Sequence, residues 1–315
     1  MVGSRTRLPV NSPVIVILGP SAVGKTALAM KLAKEFSGEI VSADSRYFYR
    51  GMNIGTAKPS AEEMQEIPHY LIDIADPDET ISLPQFQAAV YAKIDDILGR
   101  NKVPFLVGGT GQYVWGVVEG WLPPRLSPDA RLRAVLEDMA THTGAGRIYE
   151  MVVMLDPEAA RLIDQKNLRR SIRALEVIFS TGELFSKQKL KDSPPYQFKI
   201  IGLQRPRAEL YGRVDARIDQ MISGGLIEET KKLMEAGYDS SLPSMSAIGY
   251  KEIYQYLQHA ITLEEAIQST KRRTRVFIRH QANWFKKDDP RIHWFDMHPG
   301  VEKEIATYIR KEGCV

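Results

Sequence analysis

Residues 19–26 read GPSAVGKT and set Gly19, Gly24, Lys25 and Thr26 at the spacing G-x-x-x-x-G-K-[ST]. An apolar β-branched run, PVIVIL, precedes this stretch, and a helical pattern, ALAMKLAKEF, follows it. Strand, glycine-rich loop and helix together make a phosphate cradle. Gly19, Pro20, Ser21, Ala22, Val23, Gly24, Lys25 and Thr26 then wrap a polyphosphate with backbone N–H groups and a helix N-terminus. Lys25 adds a point charge, and the Thr26 hydroxyl is a candidate ligand for Mg²⁺. The loop does not say which polyphosphate it holds or which bond breaks.

Hydrolysis and phosphoryl transfer generally add an acid at the end of a neighbouring apolar strand. The best candidate strand, VPFLV, ends instead in Gly108-Gly109-Thr110-Gly111. That weighs against an ATPase. Asp44, after the run VSA, is the alternative acid. It is a candidate general base or magnesium partner; the alternative is a helix N-cap, since aspartate is a favoured capping residue.

A third cluster lies near the C-terminus. KRRTRVFIRHQANWFKK carries Lys271, Arg272, Arg273, Arg275, Arg279, Lys286 and Lys287 with no acid among them. Phe277, Trp284 and Phe285 are interleaved. Such a stretch either attracts a polyanion or is a solvated helix face.

These groups need a scaffold. Strand patterns at PVIVIL, 38–43, 69–74 and 103–109 alternate with helical patterns at 25–36 and 83–99. This alternation predicts an α/β fold, a parallel sheet flanked by helices, with ligands at the carboxyl ends of the strands. From about 120 to 195 the pattern turns helical, and a mainly helical insertion is expected there. Ser127-Pro128 reads as its helix start. Leu168, Ile172, Leu175 and Phe179 are spaced for one buried helix face, with Arg169, Arg170 and Arg173 off it. FKIIGL (198–203) returns to the sheet, and helices follow at 207–236, broken at Gly224-Gly225, and at 246–258, 263–283 and 301–311. The expected division is a tail over 1–13, a core over 14–119 and 196–315, and the insertion over 120–195.

Composition narrows the class. The 315 residues are 43% apolar and 26% charged, with net charge +3, as expected of an ordinary soluble protein. No apolar run is long enough to span a bilayer, and residues 1–13 lack the apolar centre of a signal peptide. Cys314 is the only cysteine, which excludes an internal disulfide or cysteine metal cluster and suits a reducing cytoplasm. No membrane partner and no obligate protein partner is expected.

Beyond the loop, SADSRYFYRGMNIGTAKP (42–59), VGGTGQYV (107–114), NLRRSIRALEVIFSTG (167–182), RVDARIDQMISGGLIEE (213–229), SAIGYKE (246–252) and the basic block follow in order over residues 14–287. In this the chain resembles the tRNA dimethylallyltransferase (tRNA isopentenyltransferase) family, and the DS…YRGMNIGTAKP block is its most specific part. The resemblance implies transfer of a dimethylallyl group from dimethylallyl diphosphate to the exocyclic amine of adenine 37, beside the tRNA anticodon. It makes Asp44 the general base, and Ser21, Lys25 and Arg217 part of the catalytic set, with Mg²⁺ on Thr26. Arg213 shares the helix face of Arg217. The competing expectations are a prenyltransferase for free adenine nucleotides and a small-molecule kinase.

The resemblance also places the anticodon stem-loop against Asp44, Ser45, Arg46, Tyr47, Thr110, Arg133, Gln165, Lys166, Asn167, Leu168, Arg169, Arg170, Gly249, Tyr250, Lys251, Lys271, Arg272, Arg275, Arg279 and Gln281. Several positions depart from the family pattern. Ser21 stands for threonine, Tyr47-Phe48 for a glutamine or aliphatic pair, and Gln112 for leucine. His280 replaces a basic residue and Asn283 a threonine. His280 is either a pH-sensitive phosphate contact or a neutral helix substitute.

Overall fold

The computed structural model describes residues 13–124, 126, 129–188 and 191–313. The chain runs β1 (Val14–Leu18), α1 (Lys25–Glu35), β2 (Gly38–Ser42), α2 (Ala61–Glu66), β3 (His69–Tyr70), α3 (Leu83–Gly99), β4 (Val103–Gly108) and α4 (Gly111–Val118). Four helices follow: α5 (Ala130–Thr143), α6 (Ala145–Leu155), α7 (Pro157–Leu162) and α8 (Leu168–Thr181). The chain then continues through β5 (Phe198–Gln204), α9 (Arg207–Ser223), α10 (Leu226–Glu235), α11 (Tyr250–Leu257), α12 (Leu263–Trp284), β6 (Ile292–Asp296) and α13 (Val301–Lys311).

One compact unit runs to Val118 and resumes at Pro194; the other spans Glu119–Ser193. The first holds a six-stranded sheet in the order β3-β2-β4-β1-β5-β6, with every pairing parallel. All residues of the central strands β1 and β4 are buried. Strands covered on both faces read as continuous apolar runs, which is why PVIVIL and VPFLV stood out. From β1 the chain crosses beyond β4 to β2, and β5 lies on the opposite side of β1, so the order reverses between β1 and β4. A crevice at the carboxyl ends opens at such a reversal. The phosphate loop follows β1 there, and Gly109-Thr110 follows β4.

Three expectations are corrected in this unit. The strand expected over 69–74 stops at Tyr70, because Leu71 (φ 61°) and Asp73 (φ 54°) are left-handed and leave the sheet. Ile292–Asp296 forms a sixth strand that the helical reading of the C-terminus overlooked; its pattern is too polar at the edge to stand out. Ala61–Glu66 and Gly111–Val118 are helices without a sequence assignment. The break at Gly224-Gly225 is observed, with Gly225 at φ 103° capping α10.

The second unit is helical and has its own core, built on Leu136, Ile148, Val152, Ile172 and Leu175. The helix start read at Ser127-Pro128 lies outside the described residues; α5 is capped by Asp129, which accepts from the Arg131 and Leu132 N–H groups. Phe179 is corrected: it is exposed, and Ala174 and Val177 join Ile172 and Leu175 in the buried face. Arg173 is not a free cation. With Arg133 it grips the buried carboxylate of Glu176, Arg133 in bidentate fashion at 3.0 and 2.9 Å and Arg173 at 2.5 Å.

Candidate active site

A pocket of about 840 Å³ opens in the first unit, walled by the phosphate loop, Asp44–Tyr47, Gly55–Pro59, Thr110, α9, Ala247–Gly249 and α12. The loop takes its shape from three positive-φ residues, Gly19 (φ 150°), Ala22 (φ 62°) and Gly24 (φ 111°). Gly24 caps α1 without a side-chain hydrogen bond, so the first-turn N–H groups are free for an anion. Lys25 Nζ donates to the carbonyls of Gly19 (3.0 Å) and Pro20 (2.9 Å). Lys25 is half-buried. Burial therefore pulls Lys25 down to about 8; Asp44 opposes that shift and Arg217 adds to it. Arg217, Asp44 and the loop lysine thus share one electrostatic neighbourhood.

Asp44 follows β2. Its carboxylate accepts from Arg46 N (3.0 Å) and its carbonyl from Tyr47 N (3.1 Å). No helix begins there, so the N-cap alternative is set aside: the aspartate shapes a tight turn. Ser45 N reaches Thr110 Oγ1 at 3.4 Å, tying the ends of β2 and β4. Tyr47 donates to Ala57 O (2.8 Å); burial and the nearby Asp44 charge push its phenol upward, so it stays a donor. Phe48 is core, packed against Phe86 and Tyr113, which accounts for an aromatic at that departure from the family pattern.

Arg213 and Arg217 sit one turn apart on α9, as their spacing predicts. Arg213 Nε donates to Ala22 O (2.8 Å) and Arg217 Nη2 to Thr56 O (3.2 Å). Both residues line the pocket.

Several residues expected at RNA also have partners within the protein. Gln281 is buried and accepts from Ser21 N (2.8 Å) while its amide donates to Gly109 O (2.8 Å). It clamps the phosphate loop to the end of β4, and a Cβ at Gly109 would lie 2.6 Å from its Nε2. Tyr250 is fully buried and donates to Glu229 (2.5 Å). Lys271 pairs with Asp219 (2.7 Å), Arg275 with Asp215 and Arg273 with Glu252, so three of the seven basic residues staple α12 to α9 and α11. Arg133 is committed to Glu176, as above. Gly249 lines the pocket but is buried.

Other expected residues stand exposed: Arg272, Arg279 and His280 on α12, Lys251 on α11, and Gln165, Lys166, Asn167, Arg169 and Arg170 around the start of α8. Leu168 is partly buried against the helical core. Asn167 caps α8, whose first turn holds no acid. Arg169 and Arg170 in that turn oppose the helix dipole at a cost of ~0.3–1 kcal/mol each. Sequence reading gave Gln220, Met221 and Phe277 no place in the pocket wall, where they stand. Arg213, Arg217 and Gln220 at i, i+4 and i+7 were the available signal for one of them. Glu229 closes the RVDARIDQMISGGLIEE block, which was the signal for it.

A parallel α/β fold with a phosphate loop at the sheet's switch point, facing a carboxylate and two arginines, defines a polyphosphate-handling enzyme architecture. The chain belongs to the IPP transferase family, whose sequence model matches residues 47–288. It is 50% identical over 299 residues to the tRNA dimethylallyltransferase of Roseiflexus sp., covering 95% of this chain and 98% of that one. The tRNA dimethylallyltransferase of Dehalococcoides mccartyi is 44% identical, covering 96% and 93%. Among solved structures, the tRNA isopentenylpyrophosphate transferase of Bacillus halodurans superposes with a TM-score of 0.72 at 41% identity, covering 96% of this chain and 97% of that one. A eukaryotic dimethylallyltransferase captured acting on tRNA gives 0.76 at 28% identity, covering 95% and 77%.

Proposed function

We propose that the chain transfers a dimethylallyl group from dimethylallyl diphosphate to the exocyclic N6 of adenine 37 in tRNA. The observation that carries this reading is one pocket holding an uncapped phosphate loop on one wall and the Asp44 carboxylate on another, beside an acid-free β4 end. N6 attacks the allylic C1, the bond from C1 to the diphosphate oxygen breaks, and the N6 proton passes to Asp44. Lys25, Arg217 and the loop N–H groups hold the departing oxygens, with the Ser21 hydroxyl beside them. Diphosphate binding brings negative charge against Lys25 and restores its full positive charge.

Among the described residues no group of three or more His, Cys, Asp or Glu is arranged to hold a metal. The donor near the phosphates is the Thr26 hydroxyl. Mg²⁺ is commonly held by few protein oxygens together with substrate phosphates and water, so these residues fit an ion that arrives with the diphosphate and rests on Thr26. When bound, it supplies charge neutralisation at the leaving oxygens.

Adenine leaves the anticodon stack to reach the pocket, at a cost of about a few kcal/mol. Tyr47, Ser45, Arg46 and Thr110 line the region that receives it. The insertion offers Lys166, Arg169 and Arg170 to RNA phosphates, and the core offers Arg272 and Arg279. Such a substrate places the enzyme in the cytoplasm. No helix among the described residues is long and apolar enough to cross a membrane.

The test supplies labelled dimethylallyl diphosphate with unmodified tRNA or, separately, with AMP. Label in tRNA at adenine 37 supports the reading. Label in AMP alone would make the chain an adenylate prenyltransferase instead.

A further inference from the structure

We propose that Glu229 is a positioning residue: it fixes the backbone of residues 53–57 and through that loop aims Arg217 at the leaving diphosphate. This rests on the role given to Arg217 above. Glu229 lies in the first turn of α10 and does not line the pocket, whereas Gly55, Thr56 and Ala57 do. Its carboxylate accepts from three successive backbone N–H groups: Asn53 (3.0 Å), Ile54 (2.9 and 3.0 Å) and Gly55 (3.2 Å). A fourth donor is the Tyr250 hydroxyl at 2.5 Å. Burial and the Glu229 charge push the Tyr250 phenol upward, so it remains protonated and keeps donating.

The loop needs such an anchor. Three N–H groups converging on one point form a nest that favours an anion. Ala57, next to it, is left-handed at φ 54°, a conformation that costs a non-glycine residue ~1 kcal/mol or more. Gly55 passes so close to Tyr250 that a Cβ would lie 2.5 Å from the ring.

What the loop delivers is two carbonyls. Thr56 O receives Arg217 Nη2, and Ala57 O receives the Tyr47 hydroxyl. A guanidinium held by a backbone carbonyl moves when that carbonyl moves, and a shift of about 1 Å in a reacting constellation can cost about 100-fold in rate. In Glu229→Gln one acceptor oxygen becomes an NH₂ donor, which faces N–H donors and loosens the nest.

The experiment is a double-variant cycle with Glu229→Gln and Arg217→Ala, read as kcat/KM for dimethylallyl diphosphate, with tRNA affinity measured alongside. We expect Glu229→Gln alone to lower kcat/KM about 10- to 100-fold while tRNA affinity changes less than about twofold. In the Arg217→Ala background the same substitution should cost less than about twofold, because residues acting as a unit are not additive. Full retention of the Glu229→Gln factor in that background overturns the positioning role alone. Near-normal turnover of Arg217→Ala by itself removes the Arg217 assignment and this inference with it. If Glu229→Gln does not fold, Tyr250→Phe removes one donor from the same carboxylate and is read in the same cycle, with a smaller factor and the same outcomes.

Discussion

The Lys25→Met variant isolates the consequence of holding an ammonium in a desolvated phosphate loop. Burial lowers Lys25 from 10.5 to about 8. The folded protein therefore binds fewer protons at this site than the unfolded chain between about pH 8 and 10.5. Stability must rise with pH across that window, and the penalty is in full force below it. Carrying the charge at neutral pH costs about 3 kcal/mol. Between pH 7 and pH 9 the linkage amounts to ~1.3 kcal/mol of added stability. Urea unfolding of the parent protein and Lys25→Met at both pH values reads this directly, because every other titrating group contributes equally to the two proteins and cancels. The parent should gain ~1.3 kcal/mol more than the variant. Saturating inorganic pyrophosphate should erase the difference, since a bound anion restores the lysine charge. Activity should move the opposite way. Lys25 is about nine-tenths charged at pH 7 and about one-tenth at pH 9, so KM for the diphosphate should rise about tenfold over that range in the parent. Equal pH slopes for the two proteins would refute desolvation as the state of Lys25.

Three further outcomes follow from the geometry. Asp44→Asn should lower single-turnover prenylation ~10²–10⁴-fold and leave tRNA binding, measured by filter retention, within about twofold; near-normal turnover removes the general-base role. Arg169→Ala with Arg170→Ala should weaken tRNA binding and reduce the slope of log K against log salt by ~0.7–0.9 for each phosphate no longer neutralised. The melting temperature should be unchanged or slightly higher, because both charges oppose the α8 dipole. Glu176→Ala should destabilise the helical unit by ~1–3 kcal/mol, since it removes the buried acceptor shared by the partly exposed Arg133 and Arg173. Burial alone would raise the Glu176 carboxyl, but Arg133, Arg173 and the Asp129 N–H hold it below the ordinary value. That stability is present above the unfolded carboxyl range and lost as pH falls through the depressed folded value. Helical circular dichroism followed into acid should show the loss in the parent and not in Glu176→Gln.

The desolvated state of Lys25 bears on why the phosphate loop was readable so early. Its glycines and lysine answer to local geometry: Gly24 must turn left-handed before α1, and Lys25 must open that helix. Neighbours in sequence decide both. The strand and helix sequence was legible for the same reason, since continuous apolar runs mark strands buried on both faces. The failures lie where backbone conformation departs from pattern, as at Leu71 and Asp73, or where a strand sits at the sheet edge, as at Ile292–Asp296.

The site divides along the same line. By itself the sequence determined a phosphate loop, an acid after the second strand, a glycine turn after the fourth, and a resemblance that joined them to prenyl transfer on tRNA. Only the tertiary structure decided which polar residues are free. Gln281, Tyr250, Lys271, Arg275 and Arg133 all carry the right chemistry for RNA, yet each is bound to another part of the protein. Glu229, at the end of the 213–229 block but with no role assigned to it there, organises a loop 175 residues away in sequence. A side chain's chemistry is local, but its partners are set by packing. Desolvation and hydrogen bonding across long sequence separations therefore determine whether a given arginine, glutamine or glutamate serves the substrate or the fold.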